Sequence, residues 1–101
     1  MMTLNLGNLA TFRLVVQRGS FSAAADVLGL SQPAVSLQVR QLEQFLQTRL
    51  LERTGRGIKA TAAGIALLAH SEQIELAVGA AVQSVSEFNR EISGSVTLGS
   101  G

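Results

Sequence analysis

The sequence predicts a mainly α fold: three short helices, a small β-hairpin, and one long helix after it. Three observations carry this reading. Apolar residues recur at helical spacing through residues 6–47. The stretch "LLERTGRGIKA" then interrupts them with β-capable runs around two glycines. From residue 62 to residue 92 an apolar repeat alternates steps of four and three, as a long partnered helix requires.

The first helix is expected over residues 6–18, "LGNLATFRLVVQR", with Leu9, Phe12 and Val16 on one face and Gly19 as its stop. In "SFSAAADVLGLS" the Ser22 hydroxyl can cap a second, short helix. Asp26 then falls in its first turn, at the positive end of the helix dipole. Ala24, Val27 and Leu28 supply its apolar face, and Gly29 offers a left-handed exit. Ser31 can cap the helix that follows. A very short turn containing glycine separates these two helices, so they must cross steeply. That is a helix-turn-helix, over about residues 21–40.

The third helix is expected over about residues 32–47. Val35, Val39, Leu42 and Leu46 recur at +4, +3 and +4 and mark its buried face. The opposite face carries Pro33, Leu37, Arg40, Gln41 and Gln44, flanked near the start by Gln32 and Ser36. Pro33 is tolerated because the amide it removes has no partner in a first helical turn, although it disfavours helical geometry at Gln32. Leu37 is apolar on a face that should meet water. Either it packs on a protein neighbour or it faces another molecule.

Residues 50–53 and 58–60 flank "TGRG", in which Gly55 and Gly57 can take positive φ; a hairpin follows, with Arg53, Arg56 and Lys59 on its stems and tip. Its place, directly after a helix-turn-helix, is that of a wing. Thr61 can cap the long helix, about residues 62–92, which at ~1.5 Å per residue spans about 45 Å. Leu67, Ser71, Ile74, Val78, Ala81, Val85, Phe88 and Ile92 form its seam. The preceding sixty residues are too few to cover such a stripe, so a partner helix is expected. Ile65 and Leu68 point elsewhere and are expected to anchor the helix to its own domain. Residues 93–101, "SGSVTLGSG", break the helix, and Val96, Thr97 and Leu98 read as the start of a strand belonging to a domain cut away.

The 101 residues suffice for one small domain with a modest core, and 47% hydrophobic against 15% charged residues places the chain among folded proteins. It has no cysteine, which excludes disulfides and thiolate metal sites and suits a reducing cytoplasm. No apolar run is expected to reach the length of a membrane span, and no signal-peptide plan is visible at the N-terminus. Net charge is only +1, but residues 1–60 hold seven basic and three acidic groups, while residues 61–101 hold Arg90 against four glutamates. A basic half ahead of an acidic half suggests that the first half meets an anion.

The stretches "GSFSAAADVLGLSQPAVSLQVRQLE" and "RLLERTGRGIKATAAG" closely resemble the N-terminal region of LysR-type transcriptional regulators. The resemblance is dense over residues 4–66 and continues by pattern to about residue 92. It implies a winged helix-turn-helix over residues 4–61, with the wing at about 50–60, and a linker and dimerisation helix over residues 62–92. Residues 93–101 would open a truncated effector-binding domain. It further implies sequence-specific binding of double-stranded DNA, at an imperfect inverted repeat, by a homodimer that regulates transcription. The intact protein would be a dimer or a tetramer, with RNA polymerase a candidate partner. No cofactor is expected in this chain; a small-molecule effector is implied for the missing domain.

Carried over residue by residue, the resemblance places Gln32, Pro33, Ser36 and Leu37 against bases, Arg53 on a phosphate, and Arg56 toward the minor groove. Ser22, Ser31, Arg40, Gln41 and Lys59 complete the candidate DNA contacts. Leu67, Ile74, Val78, Ala81, Val85, Phe88 and Ile92 are the candidate dimer residues. Leu37 stands where many members carry arginine, so no charged fork is available there for guanine; an apolar group can instead pack on a thymine methyl, and Gln32 can pair with adenine.

Enzymatic chemistry is not expected. His70, Ser71 and Glu72 are adjacent on a helix and therefore do not face one another, and "TGRG" lacks the plan of a nucleotide cradle. No metal-ligand spacing is visible. A helical interaction module without nucleic acid is the rival, separable by the salt dependence of duplex binding.

Overall fold

The computed structural model of the chain describes the backbone of residues 3–94 and the side chains of residues 3–90. Its elements in order are α1 (Leu6–Arg18), α2 (Phe21–Leu28), α3 (Gln32–Leu46), β1 (Leu51–Thr54), β2 (Gly57–Ala60) and α4 (Ala62–Gly94). Order and type follow the sequence reading. The chain divides into two units, Met1–Ser71 and Glu72–Gly101, with the division inside α4.

In the first unit α1 begins at Asn5, whose side chain accepts from the Asn8 amide at 2.9 Å. It ends at Gly19, left-handed at φ 69°, whose N–H reaches the Val15 carbonyl at 2.8 Å. Leu9, Phe12 and Val15 are buried, together with the polar Asn8 and Thr11. Val15, three positions beyond Phe12, completes the face in place of the expected Val16, which is half-buried.

Helix α2 is capped two residues earlier than its sequence suggested. Ser20, extended after the left-handed Gly19, accepts from the Ala23 amide at 3.1 Å, so Ser22 lies exposed inside the first turn and Asp26 lies beyond it. Ala24 and Ala25 are buried, whereas Val27 is 53% exposed and Leu28 also faces outward. The helix turns its small residues inward, which lets its backbone lie close to α1 and α3, both of which it contacts. Gly29, left-handed at φ 69°, then redirects the chain into α3.

Ser31 caps α3 by accepting from the Ala34 amide at 3.2 Å, and Pro33 sits in the first turn. Val35, Val39 and Leu42 form the buried ridge; Leu46, expected as its fourth member, is exposed because the helix ends there. The residue that ends it is Gln47, left-handed at φ 55° without being glycine. Phe12, Leu9, Leu42, Leu50, Val15 and Val35 are the largest fully buried apolar side chains, each contributing ~1.5–3 kcal/mol through removal from water.

The strands β1 and β2 pair antiparallel, with Leu51 opposite Ala60, Glu52 opposite Lys59, Arg53 opposite Ile58 and Thr54 opposite Gly57. Gly57 takes φ 134°; Gly55 does not take the positive φ it was free to adopt. At the tip Thr54 Oγ1 accepts from the Arg56 amide and donates to the Gly57 carbonyl, both at 3.2 Å.

Thr61 then starts α4. Its hydroxyl accepts from the Gly64 amide at 3.1 Å and donates to the Arg49 carbonyl at 2.7 Å, while its amide donates to the Leu50 carbonyl at 3.0 Å. Gly64 and Ser71 are buried and Leu67 and Leu68 half-buried, all on one face. Ser71 satisfies its hydroxyl on the Leu68 carbonyl at 2.9 Å. Leu68 is half-buried, whereas Ile65, expected to anchor the helix beside it, is 61% exposed, because it stands about 100° around the helix from Gly64. Leu67, a candidate dimer residue, is thus partly covered within its own unit.

In the second unit Ile74 is half-buried, and Val78, Ala81, Val85 and Phe88 are exposed, Phe88 to 61%. The Ile92 side chain and residues Val96, Thr97 and Leu98 lie outside the described residues. By length and composition alone, Ala62–Arg90 is apolar enough to cross a membrane, which corrects the reading of no such segment. Glu72 and Glu75 interrupt the apolar run, yet the segment stays apolar on average.

Candidate nucleic-acid interface

Helix α3 offers one long exposed edge. Pro33, Leu37, Arg40 and Gln44, spaced by four, three and four, all face outward on the side opposite Val35, Val39 and Leu42. Leu37 is 51% exposed, so within this chain it is not sealed by a neighbour. Ser31 and Gln32 are exposed at the start of the same helix, and Ser36 is half-buried on the flank toward the wing.

Between that flank and the wing lies a cleft of about 760 Å³, lined by Ser36, Arg40, Glu43, Arg53 and Ile58 among others. Its charge is set by geometry rather than by composition. The Glu43 carboxylate is turned inward, where Oε2 accepts from the Leu50 amide at 2.8 Å and from the Leu51 amide at 3.2 Å. It lies 4.0 Å from Arg49 Nε. Arg40 and Arg53 remain exposed at the cleft. The Arg53 guanidinium carbon lies 5.7 Å from the centroid of the Phe21 ring, within reach of a cation–π attraction. Arg56 occupies the exposed hairpin tip, and Lys59, also exposed, stands across from Glu52.

The other flank of α3 is tied to α1. Asn8 Nδ2 donates to Gln41 Oε1 at 3.3 Å, and the Thr11 hydroxyl donates to Gln38 Oε1. Gln41 is therefore exposed but engaged with α1 through its oxygen, away from the cleft. Of the candidate contacts, Ser31, Gln32, Pro33, Ser36, Leu37, Arg40, Arg53, Arg56 and Lys59 fall along α3 and the wing; Ser22 lies in the first turn of α2, and Gln41 leans to α1. Sequence reading passed over Phe21, Glu43, Asn8 and Thr11. A signal existed for the last two, since both are polar at positions where the helical period of α1 calls for burial.

A row of side chains able to touch base edges, beside arginines able to meet phosphates, suits a polyanionic groove. Comparisons with known proteins agree in kind. The family described as bacterial regulatory helix-turn-helix protein, lysR family, matches residues 6–65. An uncharacterized HTH-type transcriptional regulator of Azotobacter vinelandii is 40% identical over 95 residues, covering 94% of this chain and 66% of that protein. The nitrogen assimilation regulatory protein nac of Klebsiella aerogenes is 38% identical over 96 residues, covering 95% of this chain but 32% of the relative. This chain thus spans just under two thirds of the first relative and about a third of the second.

Among solved structures, the BenM_DBD/benA site 1 DNA complex matches with a TM-score of 0.78 at 33% identity, covering 83% of this chain and 98% of that one. Full-length CbnR complexed with its target DNA matches with a TM-score of 0.72 at 40% identity, covering 81% of this chain and 29% of that one. The relatives are regulators and not enzymes, in keeping with the sequence reading. With a family match over most of its length and a fold shared with those complexes, the chain belongs to the LysR family of bacterial regulatory helix-turn-helix proteins.

Proposed function

We infer that the chain is the DNA-binding part of a transcriptional regulator and reads double-stranded DNA with the outer edge of α3. The observation that carries this is the exposed row Pro33, Leu37, Arg40 and Gln44 beside a wing bearing Arg53 and Arg56. Gln32 pairs with an adenine, and Leu37 packs on a thymine methyl, each good contact contributing ~1–3 kcal/mol of discrimination. Ser31, Ser36 and Arg40 line the same groove. Arg53 meets a phosphate, Arg56 reaches toward the minor groove, and Ser22 and Lys59 contact the backbone. The phosphate contacts supply affinity and register; the α3 contacts supply sequence.

A single module with so little net charge binds weakly. Two copies, paired through the α4 residues Ile74, Val78, Ala81, Val85, Phe88 and Ile92, with Leu67 at the edge, would double the contacts. They would read an imperfect inverted repeat with half-sites ~34 Å apart or a multiple of it. A seam of this kind suits α4 better than a bilayer does, because Glu72, Glu75 and Glu87 would be expensive in lipid. In the intact protein, tetramer formation, a small-molecule effector and contact with RNA polymerase belong to parts beyond this chain, and the place of action is the cytoplasm.

Selecting bound duplexes from a random pool tests the reading. A dyad with two preferred half-sites, and affinity that falls steeply with salt, is the expected result. Binding with no preference, or no salt slope, would leave the interaction-module reading in its place.

A further inference from the structure

The wing and the helix-turn-helix share one aromatic contact that the DNA-reading edge does not explain. Phe21 opens α2 directly after its cap Ser20, and its ring is half-buried. Above that ring stands the Arg53 guanidinium, at 5.7 Å from carbon to centroid. Arg53 is itself exposed, on β1 opposite the half-buried Ile58. Both Phe21 and Arg53 border the cleft between α3 and the wing.

An exposed arginine ordinarily samples many rotamers, and each is lost when it grips a phosphate. A ring lying under the guanidinium removes most of that freedom beforehand, since the ring's negative face attracts the cation and its plane orients the fork. A leucine at position 21 would fill similar space against the core but would offer no such face. The half-buried state of Phe21 fits a side chain with one part against the domain and the other under the arginine.

We propose that Phe21 is a positioning residue for nucleic-acid binding: its ring holds the Arg53 guanidinium between the first turn of α2 and the wing, already aimed at a duplex phosphate. The proposal rests on the phosphate role of Arg53, and its test separates the two. It is the dependence of duplex affinity on salt, measured with random-sequence duplex DNA for the chain and for F21L, F21Y, R53Q and the double variant F21L/R53Q. One lost phosphate contact lowers the slope of log affinity against log salt by ~0.9.

R53Q should lower the slope by about that amount. F21L should lower it nearly as far, F21Y should keep it, and the double variant should fall no further than R53Q alone. A wild-type slope for F21L beside a lowered slope for R53Q overturns the positioning role. A wild-type slope for R53Q overturns the phosphate role itself. Should F21L fail to fold, the unaltered chain decides: the Arg53 side-chain protons should show ring-current-shifted resonances that F21Y retains, and random-coil positions would overturn the proposal.

Discussion

The Leu50 carbonyl oxygen lies where a side chain on Gly64 would begin: a Cβ there would come within 2.3 Å of it. The same oxygen accepts the Thr61 amide at 3.0 Å, so the segment leaving α3 and the first turn of α4 are locked backbone to backbone. Replacing Gly64 with alanine should therefore destabilise the protein by ~1–3 kcal/mol, the range for overpacking, despite alanine's better helix propensity. Gly79→Ala in the same helix meets nothing within 4 Å and should gain ~1 kcal/mol instead. Urea unfolding of the two variants checks the contrast.

Glu43 fixes where the wing begins by accepting the Leu50 and Leu51 amides. Glu43→Ala leaves two partly buried donors without their acceptor and should lower stability by ~1–3 kcal/mol, with β1 amides exchanging faster than those of α1. Equal protection of β1 in variant and parent would show that the wing holds its place without this carboxylate.

Gln47 occupies a left-handed conformation at φ 55° that glycine adopts without strain. Gln47→Gly should raise stability by about 1 kcal/mol, the left-handed penalty for a side chain reduced by glycine's larger entropy loss. A lower melting temperature would mean that the Gln47 side chain contributes more than its backbone strain removes.

Leu37→Ala removes apolar surface from the exposed edge of α3 while leaving the core untouched, since the side chain is half out of the fold already. Stability should stay within about 0.5 kcal/mol of the parent. Preference at one base-pair position should weaken by ~1–3 kcal/mol in binding to site variants. An unchanged preference profile would remove Leu37 from sequence readout.

On α4, Val78→Glu or Val85→Glu should abolish pairing of two copies and with it most operator affinity, leaving the first unit folded. Sedimentation at rising protein concentration reads the first effect and duplex titration the second. Dimers that survive both substitutions would move the seam elsewhere on the helix.

Much of this was legible from the chain alone, and the misses have a common cause. The glycine exit at Gly29, the Ser31 cap and the β-hairpin around "TGRG" are decided by a few neighbouring residues, so they could be read in place. The cap of α2 was read at Ser22 because two serines stand close together; only the left-handed Gly19 before it selects Ser20. Val15 over Val16 and Ala25 over Val27 are choices of which side of a helix is covered, settled by what packs against it.

Local rules of spacing, capping and turn geometry therefore determined the elements, their order and the outward edge of α3, because each depends on residues within one or two turns. Tertiary structure alone decided that Gly64 lies against the Leu50 carbonyl, that Glu43 tethers β1, and that Phe21 meets Arg53. In each case the partners lie far enough apart in sequence that no helical or strand period links them, and only packing brings a carbonyl, a carboxylate or a ring to the place where it acts.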